Sequence, residues 1–417
     1  MNDWTFEPPP PSALHDREVP RLGDHLVGKR VALLVTGGIA AMKAPMIARA
    51  LRRYGADVVA FASAEGLRYV TEDALAWSTV HPVVTRLTPA AEHLSDDAPF
   101  DAYLVAPATY NTLNKVAVGI ADTVVTAAVA SAIGRMERGG TRVLVAPTMH
   151  GTLHNAVLTS SLQRLRELGV RIVPPREDYG KHNIPETEVL VAEVIRAVSA
   201  SPLRGVAVLV TGGPTPVPID SVRLITNRFG GRLGVEIARE LHLRGAEVRL
   251  VHGGSAPVPP EVPPHRVVHT YDEYRAAVRE ELEARDCRMA VFSAAVADYR
   301  PAEVAEGKIP SGQRLSIDLV PTAKVIDEVR ERHPGLHMVT FKYQERVSHD
   351  SLMAIAEKRL ARFEAVVANR GEEVGPEGEQ VAWLLSRGQV EPRRFVGKPR
   401  IAAAVADHLE SVARAGA

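Results

Sequence analysis

Two segments of this chain are near copies of each other, and they constrain its fold more than any other feature. Val31–Gly38 reads Val-Ala-Leu-Leu-Val-Thr-Gly-Gly, and Val206–Gly213 reads Val-Ala-Val-Leu-Val-Thr-Gly-Gly. Each is an apolar run that suits a buried parallel strand, followed by a glycine turn and a helical pattern. This duplication predicts an α/β fold with two doubly wound, Rossmann-like domains of three layers each.

The alternation of periodic and non-periodic segments along the chain predicts the domain limits. Residues 1–26 contain Pro8–Pro11 and no periodicity, so we interpret them as an N-terminal arm that is disordered or packed on a partner. Residues 27–200 form the first predicted domain. Ser199–Pro202 is the predicted joint, and residues 203–417 form the second domain.

Further strands and helices are predicted from short apolar runs and from helical spacing. The strands are Val58–Ala62, Tyr103–Ala106, Val143–Ala146 and Val170–Val173, then Met289–Ser293, Leu315–Leu319, Met338–Phe341, Ala365–Ala368 and Val381–Leu385. The helices are Ala44–Tyr54, Leu162–Leu168, Glu188–Ser199, Leu233–Leu241, Ser351–Phe363 and Pro399–Ala413.

Composition excludes several classes of function. Lys plus Arg equal Asp plus Glu at 50 each, so charge gives no case for nucleic acid or an anionic membrane as partner. No apolar run is long enough to span a bilayer, and the N-terminus lacks a signal-peptide pattern. The single cysteine, Cys287, excludes an internal disulfide and a thiolate metal cluster. We therefore expect a cytoplasmic protein that acts on small molecules.

Two glycine-rich loops in the second half have the chemistry of an anion site. Thr211–Thr215 follows the strand, and Asn227–Arg232 opens onto a helix. Backbone N–H groups at a glycine turn and at a helix N-terminus bind anions. With Pro218-Ile-Asp220 between them, these loops resemble the Gly-Pro-Thr-x-x-Pro-Ile-Asp…Asn-x-x-x-Gly-Lys/Arg-x-Gly signature of phosphopantothenate–cysteine ligases.

A second motif strengthens that resemblance, which covers residues 203–417. Ala294-Ala-Val-Ala-Asp298 is followed by Lys308-Ile309, the order and spacing found in these ligases. The resemblance implies that CTP or ATP, with Mg²⁺, activates 4′-phosphopantothenate as an acyl nucleotide, which cysteine then attacks. It implies that Asn227 orients the acyl intermediate and that Lys308 neutralises developing phosphate charge. The residues implied to bind nucleotide are Ala294, Ala295, Asp298, Lys308, Phe341, Lys358 and Arg362.

The second half also departs from the ligase pattern. Phe229 and Gly230 stand where the ligases have two serines, and Ala323-Lys-Val325 replaces Pro-Asp-Ile. Lys308-Ile-Pro310 replaces a more basic run. These changes leave open which carboxylic acid, and which nucleotide, the ligase half uses.

The first half carries two motifs that resemble the homo-oligomeric flavin-containing cysteine decarboxylases. They are Thr36-Gly-Gly-Ile-Ala-Ala-Met-Lys43 and the run from Ala106 to Asp122. The resemblance implies a flavodoxin-like domain whose loops hold FMN. It also implies that His93, at the family's spacing before Ala106, is the active-site histidine. The residues implied to bind FMN are Thr36, Gly37, Gly38, Ile39, Ala106, Pro107, Ala108, Thr109 and Asn111.

Two parts of the decarboxylase pattern are missing. The family's Pro-x-Met-Asn motif is here Pro147-Thr-Met-His150, and the flap segment 175–185 has no cysteine. These gaps predict a decarboxylase that is altered or idle, or a domain kept as a flavin-binding assembly scaffold. We expect at most weak release of CO₂ from phosphopantothenoylcysteine and little or no reduced phosphopantetheine.

Together the two resemblances indicate a fused decarboxylase and ligase of coenzyme A biosynthesis. Two alternatives stay open: a paralogue that joins a different acid and amine, and a non-catalytic flavin-binding assembly or regulatory protein. The resemblance also predicts a homo-oligomer, with trimers of flavin domains and dimers of ligase domains.

Overall fold

The computed structural model describes residues 6–94, 96–254, 256–262, 264–284, 286–312, 314–389 and 391–415. The chain divides into two compact units, Met1–Val198 and Ser199–Ala417. Among the described residues, no helix is long and apolar enough to cross a membrane. Residues 1–5 of the predicted arm lie outside the described residues, while Leu26 is fully buried and its N–H donates to the carbonyl of Tyr54.

The first unit contains short strands and helices in alternation. Its strands are β1 (Arg30–Val35), β2 (Asp57–Ala62), β3 (Ala102–Ala108), β4 (Arg142–Pro147), β5 (Met149–His150), β6 (Arg171–Ile172), β7 (Arg176–Asp178) and β8 (Lys181–Asn183). Its helices are α1 (Ala44–Arg52), α2 (Glu72–Thr79), α3 (Tyr110–Ala117), α4 (Val124–Glu137), α5 (Ala156–Glu167) and α6 (Thr187–Val198). Short 3₁₀ turns occupy Ile39–Lys43, Gly66–Arg68 and Gly151–Leu153.

A parallel sheet of five strands, in the order β2-β1-β3-β4-β6, forms the centre of this unit. Tyr103 and Val105 of β3 pack into one apolar cluster with α3, α4 and α5. Leu104, which is fully buried, must point to the opposite face because side chains alternate along a strand. Helices α1 and α6 also contact the sheet. Coverage of both faces is what an all-parallel sheet requires.

The second unit is built on a larger sheet. Its strands are β9 (Ala207–Gly212), β10 (Pro214–Thr215), β11 (Val217–Pro218), β12 (Leu224–Ile225), β13 (Glu247–His252), β14 (His265–Val267), β15 (Met289–Phe292), β16 (Ala295–Val296), β17 (Tyr299–Pro301), β18 (Leu319–Pro321), β19 (His337–Gln344), β20 (Ala365–Arg370), β21 (Val381–Ser386) and β22 (Arg393–Val396). Its helices are α7 (Arg232–Leu243), α8 (Tyr271–Ala284), α9 (Val325–Arg332), α10 (His349–Leu360) and α11 (Lys398–Ala415).

Eight of these strands form one sheet in the order β14-β13-β9-β15-β19-β20-β21-β22. Neighbours from β14 to β20 are parallel, and β21 and β22 are antiparallel additions at one edge. Helices α7 and α11 share one apolar cluster with the sheet, and α8 and α9 share another. Both units are therefore three-layered α/β structures, which confirms the predicted fold class.

One predicted strand is wrong in its limits. Leu315–Leu319 alternates in polarity, but only Leu319–Pro321 pairs, antiparallel to Tyr299–Pro301. Leu315 and Ile317 remain exposed, so the alternation there does not mark a buried face. The prediction also omitted helices α2, α3, α4, α8 and α9, of which α4 has a readable start in the capping box of Thr123 and Thr126.

A pair of histidines links β19 to the closing helix α11. The Nε2 atoms of His337 and His408 lie 2.9 Å apart. Burial, reinforced by the charges of His337 and Arg393, lowers the pKa of His408 to about 4. Burial also lowers the pKa of His337. The folded state therefore favours neutral imidazoles at this position.

We predict that acid weakens the second unit through this pair. Between pH 6.5 and 4 the unfolded chain binds more protons at position 408 than the folded chain, so unfolding free energy falls as pH falls, by about 1–3 kcal/mol. Thermal unfolding at pH 7 and pH 5 measures the effect. His408→Gln should reduce the difference between the two pH values, and His269→Gln, at an exposed position, should not. Equal pH dependence in wild type and His408→Gln would contradict this account.

Candidate active sites

The first unit has a cavity of about 650 Å³ at the carboxyl ends of β1, β3 and β4. In parallel α/β sheets this edge is where ligands bind, because loops and helix N-termini meet there. Helices α3 and α4 both begin beside the cavity. The predicted FMN residues that line it are Thr36, Gly37, Gly38, Ile39, Pro107, Thr109 and Asn111. Ala106 and Ala108 are buried within β3 and do not line it.

The floor of this cavity is built from small and hydroxyl-bearing residues. The Thr36 hydroxyl is buried and donates to the carbonyl of Pro107 at 2.7 Å. The hydroxyl of Thr109 lies 3.1 Å from that of Thr112. Gly37 leaves no room for a side chain, because an added Cβ would lie 2.5 Å from the Cβ of Glu65. Such a loop lets a ligand approach the backbone closely, as a phosphate or a flat ring requires.

A small three-stranded sheet, β5-β8-β7, stands at another side of the same cavity. We call the β7–β8 part of it, residues 176–183, the hairpin. His150 of β5 lines the cavity together with Lys181, His182 and Asn183 of the hairpin. The Nε2 atom of His182 lies 2.7 Å from Nδ1 of His154. The sequence analysis identified His150 and the missing cysteine, but it did not predict the contact between His154 and His182.

His93 lies elsewhere. It sits in the connection between α2 and β3, half-buried, and does not line the cavity. Its Nδ1 atom is buried without a hydrogen-bond partner. The geometry of a single chain therefore does not support a catalytic role for His93 in this cavity. That role stays a prediction.

In the second unit, the buried carboxylate of Asp220 joins two of the predicted loops. It accepts backbone N–H groups from Val222, Arg223 and Ile309 at 2.8, 2.7 and 3.0 Å. The Arg223 guanidinium donates to the carbonyl of Ile309 at 3.1 Å. Burial alone would raise the pKa of this carboxyl, but these hydrogen bonds outweigh it and hold the pKa well below its usual range. The exposed Lys308 is thereby anchored through its neighbour Ile309.

Asn227 links its own glycine-rich loop to the Ala294–Asp298 loop. Its amide donates to the carbonyls of Ala295 and Val296 at 2.9 and 3.2 Å. The same residues, Ala295 and Val296, pair as β16 with Pro214 and Thr215 of β10. The glycine loop after β9, the Asn227 loop and the Ala294–Asp298 loop therefore meet at the carboxyl end of the sheet.

Beside these loops is a second cavity, of about 330 Å³. Ala294, Asp298 and Phe341 line it, as the nucleotide prediction requires. Ala295, Lys308, Lys358 and Arg362 do not line it. The wall of this cavity also includes residues that the sequence analysis did not predict. Among them are Lys324, Asp327, Thr340, Lys342 and Arg359.

The predicted basic pair does not reach this cavity, and its two residues do not share a helix, because α10 ends at Leu360, before Arg362. Lys358 is exposed, and Arg362 forms an ion pair with Asp327 at 3.0 Å. The helix buries Leu352 and Ala356, and Arg359 follows Ala356 by three positions, which keeps it on the packed side. Arg359 is therefore the cation that α10 supplies to the cavity. Its burial lowers the pKa of its guanidinium.

Two polar groups in the cavity bear on ligand recognition. Lys324 forms an ion pair with Asp298, which places a cation beside the carboxylate predicted to contact the nucleoside. Thr340 is 1% exposed, and its Oγ1 has no hydrogen-bond partner. A buried hydroxyl without a partner costs free energy unless a ligand satisfies it. Among the described residues, no group of three His, Cys, Asp or Glu side chains could hold a metal ion.

The two units match two described protein families. Residues 21–199 match the family described as Flavoprotein. Residues 203–412 match the DNA/pantothenate metabolism flavoprotein C-terminal domain.

Whole-length relatives have the same two parts in one chain. The chain is 36% identical to the coenzyme A biosynthesis bifunctional protein CoaBC of Thermococcus kodakarensis, across 93% of this chain and 96% of the relative. It is 32% identical to the CoaBC of Mycolicibacterium smegmatis, across 87% and 92%. A crystal structure of a DNA/pantothenate metabolism flavoprotein from Streptococcus pneumoniae aligns at 26% identity and a TM-score of 0.44, with 50% of this chain and all of that chain covered.

We predict that Asp220 is required to hold the Lys308 loop. Asp220→Asn replaces one acceptor oxygen with an NH₂ group, which cannot accept the N–H bonds that the carboxylate accepts. Residues 305–312 should then exchange amide hydrogens at least tenfold faster, and ligase turnover should fall by a similar or larger factor. Hydrogen–deuterium exchange with mass spectrometry measures the loop directly. Asp286→Asn, at an exposed position, is the control, and unchanged exchange at 305–312 in Asp220→Asn would show that the loop is held by other contacts.

Proposed function

Because the chain belongs to the family of bifunctional coenzyme A biosynthesis proteins, we propose that its second unit joins 4′-phosphopantothenate to cysteine and that its first unit decarboxylates the product. The observation that carries the ligase proposal is the meeting of the Asn227 and Ala294–Asp298 loops at one sheet edge beside a cationic cavity. Ligands of open α/β sheets bind at this edge.

The proposed ligation has two steps. The substrate carboxylate attacks the α-phosphorus of CTP or ATP, pyrophosphate leaves, and the cysteine amine then displaces CMP or AMP to form the amide. Lys308 neutralises charge on the phosphates, and Asn227 orients the acyl nucleotide. Asp298 contacts the nucleoside and Phe341 packs against the base, with Ala294 and Ala295 forming the adjoining backbone. Mg²⁺ enters with the triphosphate, since nucleotide-bound magnesium needs few protein ligands.

The cations around the cavity support a polyanionic ligand. Lys342 and Arg359 line it. Desolvation, reinforced by the charge of Arg359, lowers the pKa of Lys342. We propose that the exposed Lys358 of α10 and the exposed Arg362, just beyond the end of that helix, contribute only long-range charge to nucleotide binding. The Lys324–Asp298 pair lies where the nucleoside is proposed to bind. Ligase turnover should therefore be measured with both CTP and ATP.

We predict that Lys308→Gln lowers ligase turnover by at least a hundredfold without changing the thermal unfolding midpoint. The lysine is exposed and its side chain supports no packing, so its loss should affect transition-state charge alone. Release of CMP or AMP, with phosphopantothenate and cysteine supplied, is the assay. Lys398→Gln is the matched control and should retain activity.

Three outcomes of this assay separate the candidate functions. Near wild-type turnover in Lys308→Gln excludes the role of Lys308. Wild-type turnover with a different carboxylic acid, and none with phosphopantothenate, identifies a paralogous ligase. Absence of turnover with every acid tested identifies a non-catalytic assembly protein.

For the first unit we propose FMN as the cofactor. The glycine floor, the Thr36 and Thr109 hydroxyls and two helix N-termini suit a phosphate and a flat ring. A bound flavin supplies a reversible two-electron acceptor for the cysteinyl group.

We also propose a homo-oligomer, with trimers of the flavin unit and dimers of the ligase unit, and His93 acting from within that assembly. Mass photometry of the full chain tests the stoichiometry.

We predict that the purified protein is yellow or becomes yellow with FMN, and that Gly38→Val weakens FMN binding at least tenfold. A Cβ at Gly38 meets only Thr109 at 3.4 Å, so the valine fits the fold but occupies the cavity floor. Fluorescence quenching of FMN gives the dissociation constant. Gly134→Val, where nothing lies within 4 Å, is the control. A colourless protein that ignores FMN would refute the cofactor assignment.

One observation favours a second candidate for this unit. The hairpin contains no thiol, and the Asn of the decarboxylase motif is His150. On this candidate the unit binds flavin but completes decarboxylation slowly or not at all. Measurement of CO₂ and of phosphopantetheine from phosphopantothenoylcysteine decides between the two.

A further inference from the structure

A contact between two aromatic rings joins the Asn227 loop, residues 227–231, to the wall of the ligase cavity. The ring of Phe229 in this loop packs edge-to-face against the ring of Tyr343 of β19, with 5.1 Å between the centroids and 74° between the planes. Tyr343 lines the cavity of about 330 Å³ in the second unit. Such a pair is attractive, because the positive edge of one ring meets the negative face of the other.

The same loop has another anchor on that cavity. The amide of Asn227 donates to the carbonyl of Val296 at 3.2 Å, and Val296 also lines the cavity. Val296 follows β15, while Tyr343 belongs to β19, and these two strands are parallel neighbours in the sheet. The loop is therefore tied to residues of the cavity wall at two points, once by Asn227 and once by Phe229.

The partner of Phe229 is itself held in place. The Tyr343 hydroxyl donates to the Glu345 carboxylate, and this hydrogen bond raises the pKa of Tyr343 to about 12. The phenol is therefore protonated at neutral pH and keeps this bond. A Cβ added at Gly371 would lie 2.6 Å from the Tyr343 oxygen, so the ring also packs closely against the chain after β20. Phe229 thus meets a fixed surface.

Burial alone does not explain an aromatic residue at position 229. Phe229 remains 50% exposed, so its removal takes little apolar surface out of the core. The ligase pattern has serines at positions 229 and 230, where this chain has phenylalanine and glycine. The loop has therefore exchanged hydroxyl groups for a ring that contacts β19.

We infer that Phe229 is a positioning residue of the ligase, which holds the Asn227 loop against Tyr343 until cysteine attacks the acyl nucleotide. The inference rests on the proposed ligase function of the second unit, in which Asn227 orients that intermediate. Phe229 acts through Asn227, because both residues belong to one short loop and both tie it to the cavity wall.

The acyl nucleotide has two possible fates. When the cysteine amine attacks the acyl carbon, the amide forms and CMP or AMP leaves. When water attacks instead, its oxygen joins the acyl carbon, the same acyl–phosphate bond breaks, and the free acid returns with CMP or AMP. Orientation of the intermediate and exclusion of water favour the first fate. A loop held by Asn227 alone should therefore consume nucleotide without forming amide.

The test measures how much amide is formed for each nucleotide consumed. Full-length wild type, Phe229→Ala, Tyr343→Ala and the double variant receive phosphopantothenate, cysteine and CTP or ATP, and the amide and CMP or AMP are quantified. We expect the ratio of amide to CMP or AMP to fall about threefold or more in Phe229→Ala, since an aromatic pair contributes on that scale. The double variant should resemble the single variants, because all of them remove one contact.

Conservative variants and a distant control complete the design. Phe229→Tyr and Tyr343→Phe keep both rings and should restore the ratio. Val267→Ala removes an exposed apolar side chain on the edge strand β14 and should not change it. Without ligands, the amides of residues 227–231 should exchange hydrogen about threefold faster, or more, in Phe229→Ala than in wild type, with an unchanged thermal unfolding midpoint.

The outcomes separate this inference from the proposed function. A wild-type ratio in Phe229→Ala would overturn the positioning role and leave the ligase proposal intact. Lower total turnover at an unchanged ratio would show that Phe229 only supports folding, which also overturns the role. A wild-type protein that turns over no nucleotide with any acid would overturn the ligase proposal and this inference with it.

Discussion

The ligase site depends on one buried carboxylate. Asp220 accepts three backbone N–H groups, and one of them comes from Ile309, almost ninety residues further along the chain. Backbone donors near a glycine-rich loop have no partner within a helix or sheet, so a charged acceptor is the strongest way to satisfy them. The Pro-Ile-Asp part of the signature therefore has a structural role. It ties the backbone beside Lys308 to the turn that contains Asp220.

The same architecture serves two chemistries because the sheet and the site are separate parts of each unit. In both units a parallel sheet directs its loops toward the carboxyl edge. The first unit adds a hairpin that stands beside its cavity, and the second adds a cationic wall from β19, α10 and Lys324, the residue before α9. The strands of each parallel sheet are continuous apolar runs because helices cover both faces of the sheet. The hairpin and the cationic wall are built from short, polar segments.

That difference explains what the sequence could predict. The strands from Val31 and Val206 follow from apolar runs with a clear physical cause. The lining residues Thr36, Asp298 and Phe341 were predicted from the resemblance to known families. The cation of α10 was missed by one position. The spacing of Lys358 and Arg362 predicts a shared helical face, but α10 ends at Leu360, before Arg362, and only the packing of Ala356 shows which face of the helix is turned inward. The histidine pair joins positions 154 and 182, and no local pattern indicates such a contact.

Backbone pairing, more than the identity of its tip, fixes the hairpin beside the cavity of the first unit. His182 lies in the central strand, opposite Met149 on one side and Glu177 on the other. The tip, Tyr179 and Gly180, takes positive φ angles of 52° and 66° and turns the chain sharply. A paired strand fixes a residue more firmly than a loop does, and cross-strand pairing on both sides of His182 meets that condition.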